Sequence, residues 1–131
     1  MSRDTKAFDS AQFFAALADP VRLRLLNLMA GREVCVCYFV AILEEGQPKI
    51  SRHLAYLRRA GLVSARREGK WMHYRIRLPE DSGGAAMLRC VLEMLAERPE
   101  MRADRAKLER ACCTSAISDI LEGAPVPAPV S

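Results

Sequence analysis

Five cysteines are the residues of this 131-residue chain that are best suited to chemistry. Cys35 and Cys37 flank one valine, Cys112 and Cys113 are adjacent, and Cys90 stands alone. The chain has no signal-peptide pattern and no apolar run of membrane length, so we expect a cytoplasmic protein without membrane contact, whose thiols stay reduced. Reduced thiolates bind thiophilic metal ions and also react with oxidants. The cysteines are therefore expected to be free thiols, metal ligands or redox groups rather than structural disulfides.

The clearest structural pattern is the segment Gln47–Gly61, which predicts one helix. Pro48 suits the first helical position, and Gly61 suits the left-handed residue that stops a helix. Apolar residues recur at helical spacing and form one buried stripe: Ile50, Leu54, Leu57 and Ala60. The other face carries hydrogen-bond donors and cations, which suit base edges in the major groove of DNA. The side chains expected to contact DNA are Gln47, Lys49, Ser51, Arg52, His53 and Tyr56.

Two of these residues have more specific expectations. Arg52 is the best candidate for a bidentate contact with guanine. His53 precedes the buried Leu54, and a satisfied structural histidine is as good an interpretation as a DNA contact. A solvated charged surface would be the simpler interpretation of an isolated basic helix, but the segment that follows favours DNA.

The segment Leu62–Arg77 has the alternating pattern of two strands around a glycine turn. The cations around that turn are expected to contact phosphates: Arg66, Arg67 and Lys70. From Gln47 to Arg77 there are nine Lys or Arg residues and one acid, a charge of +8 in a chain of +4. A helix followed by a basic hairpin predicts a winged helix-turn-helix that binds double-stranded DNA.

The remaining elements predict a mainly α fold with this β-hairpin as its wing. The predicted helices are Ser10–Ala18 with Ser10 as its cap, one from Asp19-Pro20 to Gly31, Val36–Leu43, Ala85–Glu97, and Glu100–Cys113. On the second helix, Arg22 and Arg24 are either phosphate anchors or, more simply, solvated. We expect a flexible N-terminus at 1–9 and a DNA-binding and dimerisation domain at 10–98. The rest, 99–131, is expected to hold a short helix, the cysteine pair and a disordered Pro-rich tail.

Several separated motifs now point to one family. They are Asp19-Pro-Val-Arg-Leu-Arg-Leu-Leu26, Glu33-Val-Cys-Val-Cys37, Gln47-Pro-Lys-Ile-Ser-Arg-His-Leu54, Gly61-Leu62 and Gly69-Lys-Trp-Met-His-Tyr-Arg75. In this order, over residues 10–97, the chain resembles the ArsR/SmtB family of metal-sensing repressors, and in particular its arsenical-resistance subgroup. The resemblance implies a homodimer, paired through its terminal helices, that binds an operator and leaves it when an inducer binds. It also implies trivalent arsenic as the inducer, with trivalent antimony as a chemical analogue, and no permanent cofactor.

The chain departs from the arsenical repressors at one ligand. Val40 stands where those repressors often carry a third cysteine beside the pair matched here by Cys35 and Cys37. Trivalent arsenic is expected to take three sulfurs, so the third must come from elsewhere. We favour Cys112 or Cys113, either from the same subunit or from across the dimer, and expect Cys90 to be a buried structural thiol. The adjacent pair could equally form a separate site or do nothing beyond oxidise.

The spacing of Cys35 and Cys37 suggests a switch. Two residues apart on a regular helix, they would point about 200° apart. Arsenic could then join them only by unwinding the start of the third helix and moving the DNA-facing helix. A change in the ratio of the unwound to the regular form from 1:99 to 99:1 needs about 5.5 kcal/mol, which metal–thiolate bonds could supply.

Three rival interpretations remain. A repressor of the same fold could respond to oxidants or persulfides through its cysteines, or to Cd²⁺ or Pb²⁺ through a thiolate site. A thiol enzyme is disfavoured, because there is no Cys-x-x-Cys motif, no nucleotide-binding glycine loop and no base beside a cysteine outside the basic block. A purely architectural DNA-binding protein would leave Cys35 and Cys37 unexplained.

Overall fold

The computed structural model describes residues 7–113 and 123–130 of the chain. The expected winged helix-turn-helix, mainly α with a β-hairpin wing, is confirmed. Most of the predicted flexible N-terminus, 1–9, lies outside the described residues. The elements are α1 Ser10–Leu17, α2 Pro20–Met29, β1 Arg32–Cys35, α3 Val36–Leu43, α4 Gln47–Arg59, β2 Val63–Glu68, β3 Trp71–Ile76, α5 Ser82–Ala96, α6 Pro99–Cys113 and β4 Ala128–Pro129.

The helix-turn-helix consists of α3 and α4, and it is held by the apolar stripe of α4. Ile50, Leu54 and Leu57 are fully buried, and α4 packs against α2 and α3. The turn begins where Glu44 ends α3 in the left-handed conformation, with φ 55°. Gly61, with φ 79°, stops the helix as predicted. The burial of one face fixes the opposite, polar face toward solvent.

Aspartate caps set the starts of three helices. Asp19 caps α2 as predicted, accepting bonds from two main-chain N–H groups at 2.8 and 3.1 Å. The prediction of Ser10 as the cap of α1 is wrong, because Asp9 accepts the N–H three residues on at 2.9 Å. Asp81 likewise caps α5 at 2.8 Å, so that helix begins at Ser82, three residues earlier than predicted.

The described part of the sheet has the strand order β2-β3-β1-β4. The wing hairpin, β2 and β3, closes through the two residues Gly69 and Lys70, with Gly69 at φ 59°. Strand β1 joins the wing on its other side, and this pairing places Cys35 opposite His73. The wing is thus connected directly to the strand that carries the first cysteine.

The Pro-rich tail differs from its prediction as a disordered segment. Ala128 and Pro129 form β4 and pair with Glu33 and Arg32 of β1. The N–H of Val130 also donates to the carbonyl of Gly31, the residue before β1, at 3.0 Å. The edge of β1 provides unpaired main-chain groups, and the tail satisfies some of them.

Helix α6 belongs to the same core as the winged helix, so the predicted boundary at residue 98 does not separate two packing units. Leu108 and Ala111 lie in the main apolar cluster. Arg24 of α2 donates two bonds to the buried Asp104 of α6, at 2.8 and 3.0 Å. The buried Asn27 donates to a carbonyl of α6 at 2.9 Å. Both expectations for Arg24, phosphate anchor and solvated face, are therefore wrong.

Helix α5 buries Leu88 and Leu95 and leaves a second apolar face exposed. Cys90 is exposed on α5, so its prediction as a buried structural thiol is wrong for the single chain. Met87 and Met94 are also exposed, at 39% and 44%. Among the described residues, no helix is long and apolar enough to cross a membrane.

Candidate DNA interface and thiol site

The outer face of α4 presents polar side chains to solvent as expected. Gln47, Ser51 and Arg52 are exposed and form no ion pair within the described part of the chain. Lys49 Nζ lies 3.2 Å from Glu45 Oε1, one helical turn away. Such an exposed pair is weak, so Lys49 can still exchange its partner for a phosphate.

His53 and Tyr56 are half-buried, and both contact Arg22 of α2. Arg22 Nη1 lies 3.2 Å from His53 Nδ1, and its guanidinium lies 4.1 Å from the centroid of the Tyr56 ring. Of the two open interpretations of His53, the structural one gains support. Arg22 is an internal hydrogen-bond donor, so neither a phosphate anchor nor a solvated side chain describes it.

The three wing cations differ in how they are held. Arg67 is exposed and has no ion pair among the described residues. Lys70 Nζ lies 4.9 Å from the centroid of the Trp71 ring. Arg66 donates to both carboxylate oxygens of Glu33, at 2.6 and 3.2 Å. These bonds hold the pKa of Glu33 below its usual range, and they leave Arg66 less free to bind phosphate than Arg67.

The thiols of Cys35 and Cys37 lie together at the junction of β1 and α3. Cys35 is buried and Cys37 is half-buried, and their Sγ atoms are 3.4 Å apart. The thiol of Cys37 donates to Cys35, which lowers the pKa of Cys35 to about 6. The shared proton and the neighbouring thiolate raise the pKa of Cys37. The pair can therefore lose its first proton readily, which prepares it for a thiophilic ion.

This arrangement overturns the basis of the unwinding hypothesis. The hypothesis required both cysteines to lie on a regular helix, but α3 begins at Val36. Cys35 is the residue before the helix and has an extended backbone, with ψ 143°. The two sulfurs therefore converge without any unwinding. An ion that bridges them must act by some other movement.

His73 is a site residue that sequence reasoning placed only as one of an alternating set. It is 5% exposed, pairs with Cys35 across β1 and β3, and has Nε2 3.0 Å from Glu68 Oε1. A positive charge on this ring would further lower the pKa of Cys35. The pairing of β1 with the wing creates this proximity, and only a prediction of that long-range pairing would have found it.

Two sulfurs alone do not complete a three-coordinate site. Among the described residues, no group of three or more His, Cys, Asp or Glu side chains can hold a metal ion. The side chains of Cys112 and Cys113 lie outside the described residues, so the expected third ligand is not placed.

An exposed polar helix, a helix-turn-helix and a basic hairpin define a winged-helix DNA-binding protein. Residues 19–65 match the family model for bacterial regulatory proteins of the arsR family. The chain is 42% identical over 81 residues to the arsenic resistance transcriptional regulator ArsR2 of Pseudomonas putida KT2440, a match that covers 61% of this chain and 70% of that one. The chain belongs to the arsR family. That family consists of regulatory proteins and not of enzymes.

Two further comparisons set the extent of the similarity. The chain is 50% identical over 66 residues to the arsenical resistance operon repressor of Escherichia coli K12, covering 50% of this chain. It spans only 56% of the length of that repressor. HlyU from Vibrio cholerae N16961 has the same fold, with a TM-score of 0.57 and 29% identity over 65% of this chain and 89% of that one.

Proposed function

We propose that the protein represses transcription as a dimer on operator DNA and releases it when trivalent arsenic binds Cys35 and Cys37. The observation that carries this proposal is the 3.4 Å separation of the two Sγ atoms. Two converging soft sulfurs, one of them with a lowered pKa, suit a thiophilic ion such as trivalent arsenic or antimony. Relatives named for arsenic resistance support the choice of ion. A repressor that acts on operator DNA is expected in the cytoplasm.

The third sulfur comes from Cys112 or Cys113 in this proposal. Leu108 and Ala111 of α6 pack in the same apolar cluster as Cys35. Arg32, three residues before Cys35, forms an ion pair with Glu109 of α6. The end of α6 is thus held near β1, which supports a cysteine that follows Ala111 as the third ligand.

The release of DNA follows from the connections of the thiol pair to the wing and to α4. Cys35 pairs with β3 of the wing, and Cys37 lies in α3, which packs against α4. An ion that draws Cys35, Cys37 and α6 together acts on the wing and on the support of α4 at once. The inducer shifts the equilibrium only to the extent that it binds the DNA-free form more tightly than the DNA-bound form. A tenfold change in the ratio of the two forms needs about 1.4 kcal/mol.

The DNA contacts are proposed from the exposed side chains. Gln47, Ser51 and Arg52 read base edges, with Arg52 bidentate to guanine. Arg67 and Lys70 neutralise phosphates beside α4, with Arg66 and Lys49 contributing after they leave their carboxylate partners. His53 and Tyr56 support the helix rather than read bases.

Dimerisation is proposed through α5. Met87, Cys90, Val91 and Met94 recur at helical spacing on its exposed side, and Phe14 of α1 is 50% exposed. A second copy of the chain would cover this apolar face about a twofold axis. A twofold dimer predicts operator half-sites about 34–36 Å apart.

The test is operator release under strict reduction, followed by fluorescence anisotropy during arsenite titration. We expect arsenite to release the wild type and the Cys90→Ser control, but not the Cys35→Ser/Cys37→Ser variant. Equal responses from all three proteins would remove the thiol pair from the mechanism. Release of the wild type by Cd²⁺ or Pb²⁺ alone would keep the site and change the ion.

The close thiols also favour a second candidate, a redox-responsive repressor. Cys35 and Cys37 can form a disulfide by giving two protons and two electrons to an oxidant such as hydrogen peroxide, which becomes water. DNA release by peroxide without arsenite, reversed by dithiothreitol and lost in Cys37→Ser, would support this candidate. Release only by a persulfide donor would assign a sulfur signal instead.

A further inference from the structure

All three nitrogens of the Arg22 guanidinium contact groups of this chain. Its Nε donates to the carbonyl of Ala16 at 2.8 Å, and Nη2 donates to that of Ala15 at 3.0 Å. Its Nη1 lies 3.2 Å from His53 Nδ1, and its plane lies 4.1 Å from the centroid of the Tyr56 ring. One side chain of α2 therefore contacts both α1 and the DNA-facing helix α4.

The contact with α1 has a clear physical reason. Helix α1 ends at Leu17, so the carbonyls of Ala15 and Ala16 belong to its last turn. The carbonyl of Ala15 also accepts the N–H of Ala18 at 3.1 Å, whereas Pro20, four residues after Ala16, has no N–H to donate. A cation at the C-terminal end of a helix satisfies such carbonyls and is favoured by the helix dipole. Arg22 thus caps α1 from outside that helix.

The contact with His53 determines which ring nitrogen carries hydrogen. A guanidinium only donates, so His53 Nδ1 must accept from Arg22, and Nε2 carries the ring hydrogen. Asp19 Oδ1 also lies 3.8 Å from the same Nδ1. The two nitrogens point to opposite sides of the ring, so the Nε2–H is directed away from Arg22.

We propose that Arg22 is a positioning residue for operator binding. It joins the end of α1 to α4, fixes the neutral His53 tautomer with hydrogen on Nε2, and holds the Tyr56 ring. The base-contacting turn of α4 is thereby set at one angle relative to α1 and α2. This inference rests on the proposed function, in which α4 faces DNA, and it adds a residue that touches no DNA.

Arg24 provides a matched control on the same helix. Like Arg22 it is partly buried and donates charge-assisted bonds, but both of these go to Asp104 of α6, and it has no hydrogen bond or ion pair with α4 within the described residues. Arg24→Lys should alter stability without altering how α4 is placed.

The test compares two DNA duplexes, one selected from a random library by the wild type and one scrambled. Arg22→Lys keeps the charge but cannot bridge all four groups, so we expect roughly tenfold weaker binding to the selected duplex. Binding to the scrambled duplex and the salt dependence should stay unchanged, and Arg24→Lys should match the wild type on both duplexes.

The role of His53 is tested separately. His53→Gln, which offers an acceptor to Arg22 and a donor beyond it, should retain affinity that His53→Leu loses. ¹⁵N-histidine spectra should show the Nε2–H tautomer of His53 in the wild type and a mixture in Arg22→Lys.

Three outcomes would overturn the inference. The first is that Arg22→Lys binds both duplexes as the wild type does and keeps the Nε2–H tautomer of His53. The second is that Arg22→Gln loses the same affinity for both duplexes and that its slope of log affinity against log salt is smaller by about 0.9, which would make Arg22 a phosphate contact. Selection of no duplex by the wild type would overturn the proposed function as well, whereas the first two outcomes leave it standing.

Discussion

At the scale of single residues, the thiol pair combines burial with a shared proton. Burial alone would raise the pKa of Cys35, but the hydrogen bond from Cys37 outweighs it and lowers that pKa to about 6. A thiolate is thus available on Cys35 near neutral pH. Because Cys37 keeps its proton, the pair carries one charge rather than two until an ion displaces that proton.

Removal of the Cys37 thiol should raise the pKa of Cys35. ¹³Cβ shifts of labelled cysteine should show Cys35 titrating near pH 6 in the wild type. In Cys37→Ala the midpoint should move toward the ordinary thiol value of about 8.5. Cys90→Ser, distant in sequence and exposed, is the control and should leave the midpoint in place. An unchanged midpoint in Cys37→Ala would show that the hydrogen bond does not stabilise the thiolate.

The same pKa predicts how stability depends on pH. The folded pKa of Cys35 lies below the unfolded value, so its thiolate stabilises the fold above the unfolded pKa, and this contribution is lost as pH falls through about 6. The free energy of unfolding from urea titrations should therefore rise between about pH 6 and pH 8.5. Cys35→Ser should flatten that rise; a rise of equal size in the variant would assign it to other groups.

The wing arginines should differ in their salt dependence. Arg67 is free to neutralise a phosphate, so Arg67→Gln should lower the slope of log affinity against log salt by about 0.9. Arg66→Gln should lower it less, because Glu33 already balances part of that charge. Fluorescence anisotropy on one duplex at several salt concentrations measures both slopes. Equal slopes for the two variants would mean that the Glu33 pair opens fully on DNA.

At the scale of elements, α6 is fastened to α2 by polar groups inside the core. Asp104 is 3% exposed, and Arg24 donates two hydrogen bonds to it. Arg24→Met should therefore leave a buried charge without a partner and lower the free energy of unfolding by about 3 kcal/mol. Arg102→Met, an exposed change on α6, should alter it by less than about 0.5 kcal/mol. Urea unfolding measures both, and a small effect of Arg24→Met would mean that water replaces the arginine.

Elements with local signals were predictable, and contacts distant in sequence were not. The bounds of α3, the Asp19 cap and the Gly61 stop follow from a few adjacent residues. The convergence of Cys35 and Cys37 depends instead on β1. Its pairing with the wing keeps the backbone extended as far as Cys35, and the helix begins only after that residue. The predicted helical geometry of the two thiols failed for that reason.

The arginines of α2 illustrate the same limit. Arg22 and Arg24 have similar local surroundings in the sequence, yet one contacts His53 and the other Asp104. Those partners lie 31 and 80 residues away. Residue type and helical spacing predicted an exposed position for both, and only the packing of α4 and α6 against α2 decides otherwise.

At the scale of the whole molecule, the apolar face of α5 is expected to pair with a second copy. Met87→Glu should place a charge in that interface and yield a folded monomer in sedimentation velocity, with weaker operator binding. Arg89→Glu, an exposed change on a different face of α5, should remain dimeric. A dimeric Met87→Glu would move the interface away from α5.

The most direct test of the account is the number of sulfurs bound to arsenic, measured by X-ray absorption on the reduced protein loaded with one equivalent of arsenite. We expect arsenic to be bound by three sulfurs in the wild type and by two in Cys112→Ser/Cys113→Ser. In Cys35→Ser/Cys37→Ser we expect no arsenic that is bound by three sulfurs. Three sulfurs in that last variant would contradict the account, because arsenic would then be held without the thiol pair at the junction of β1 and α3.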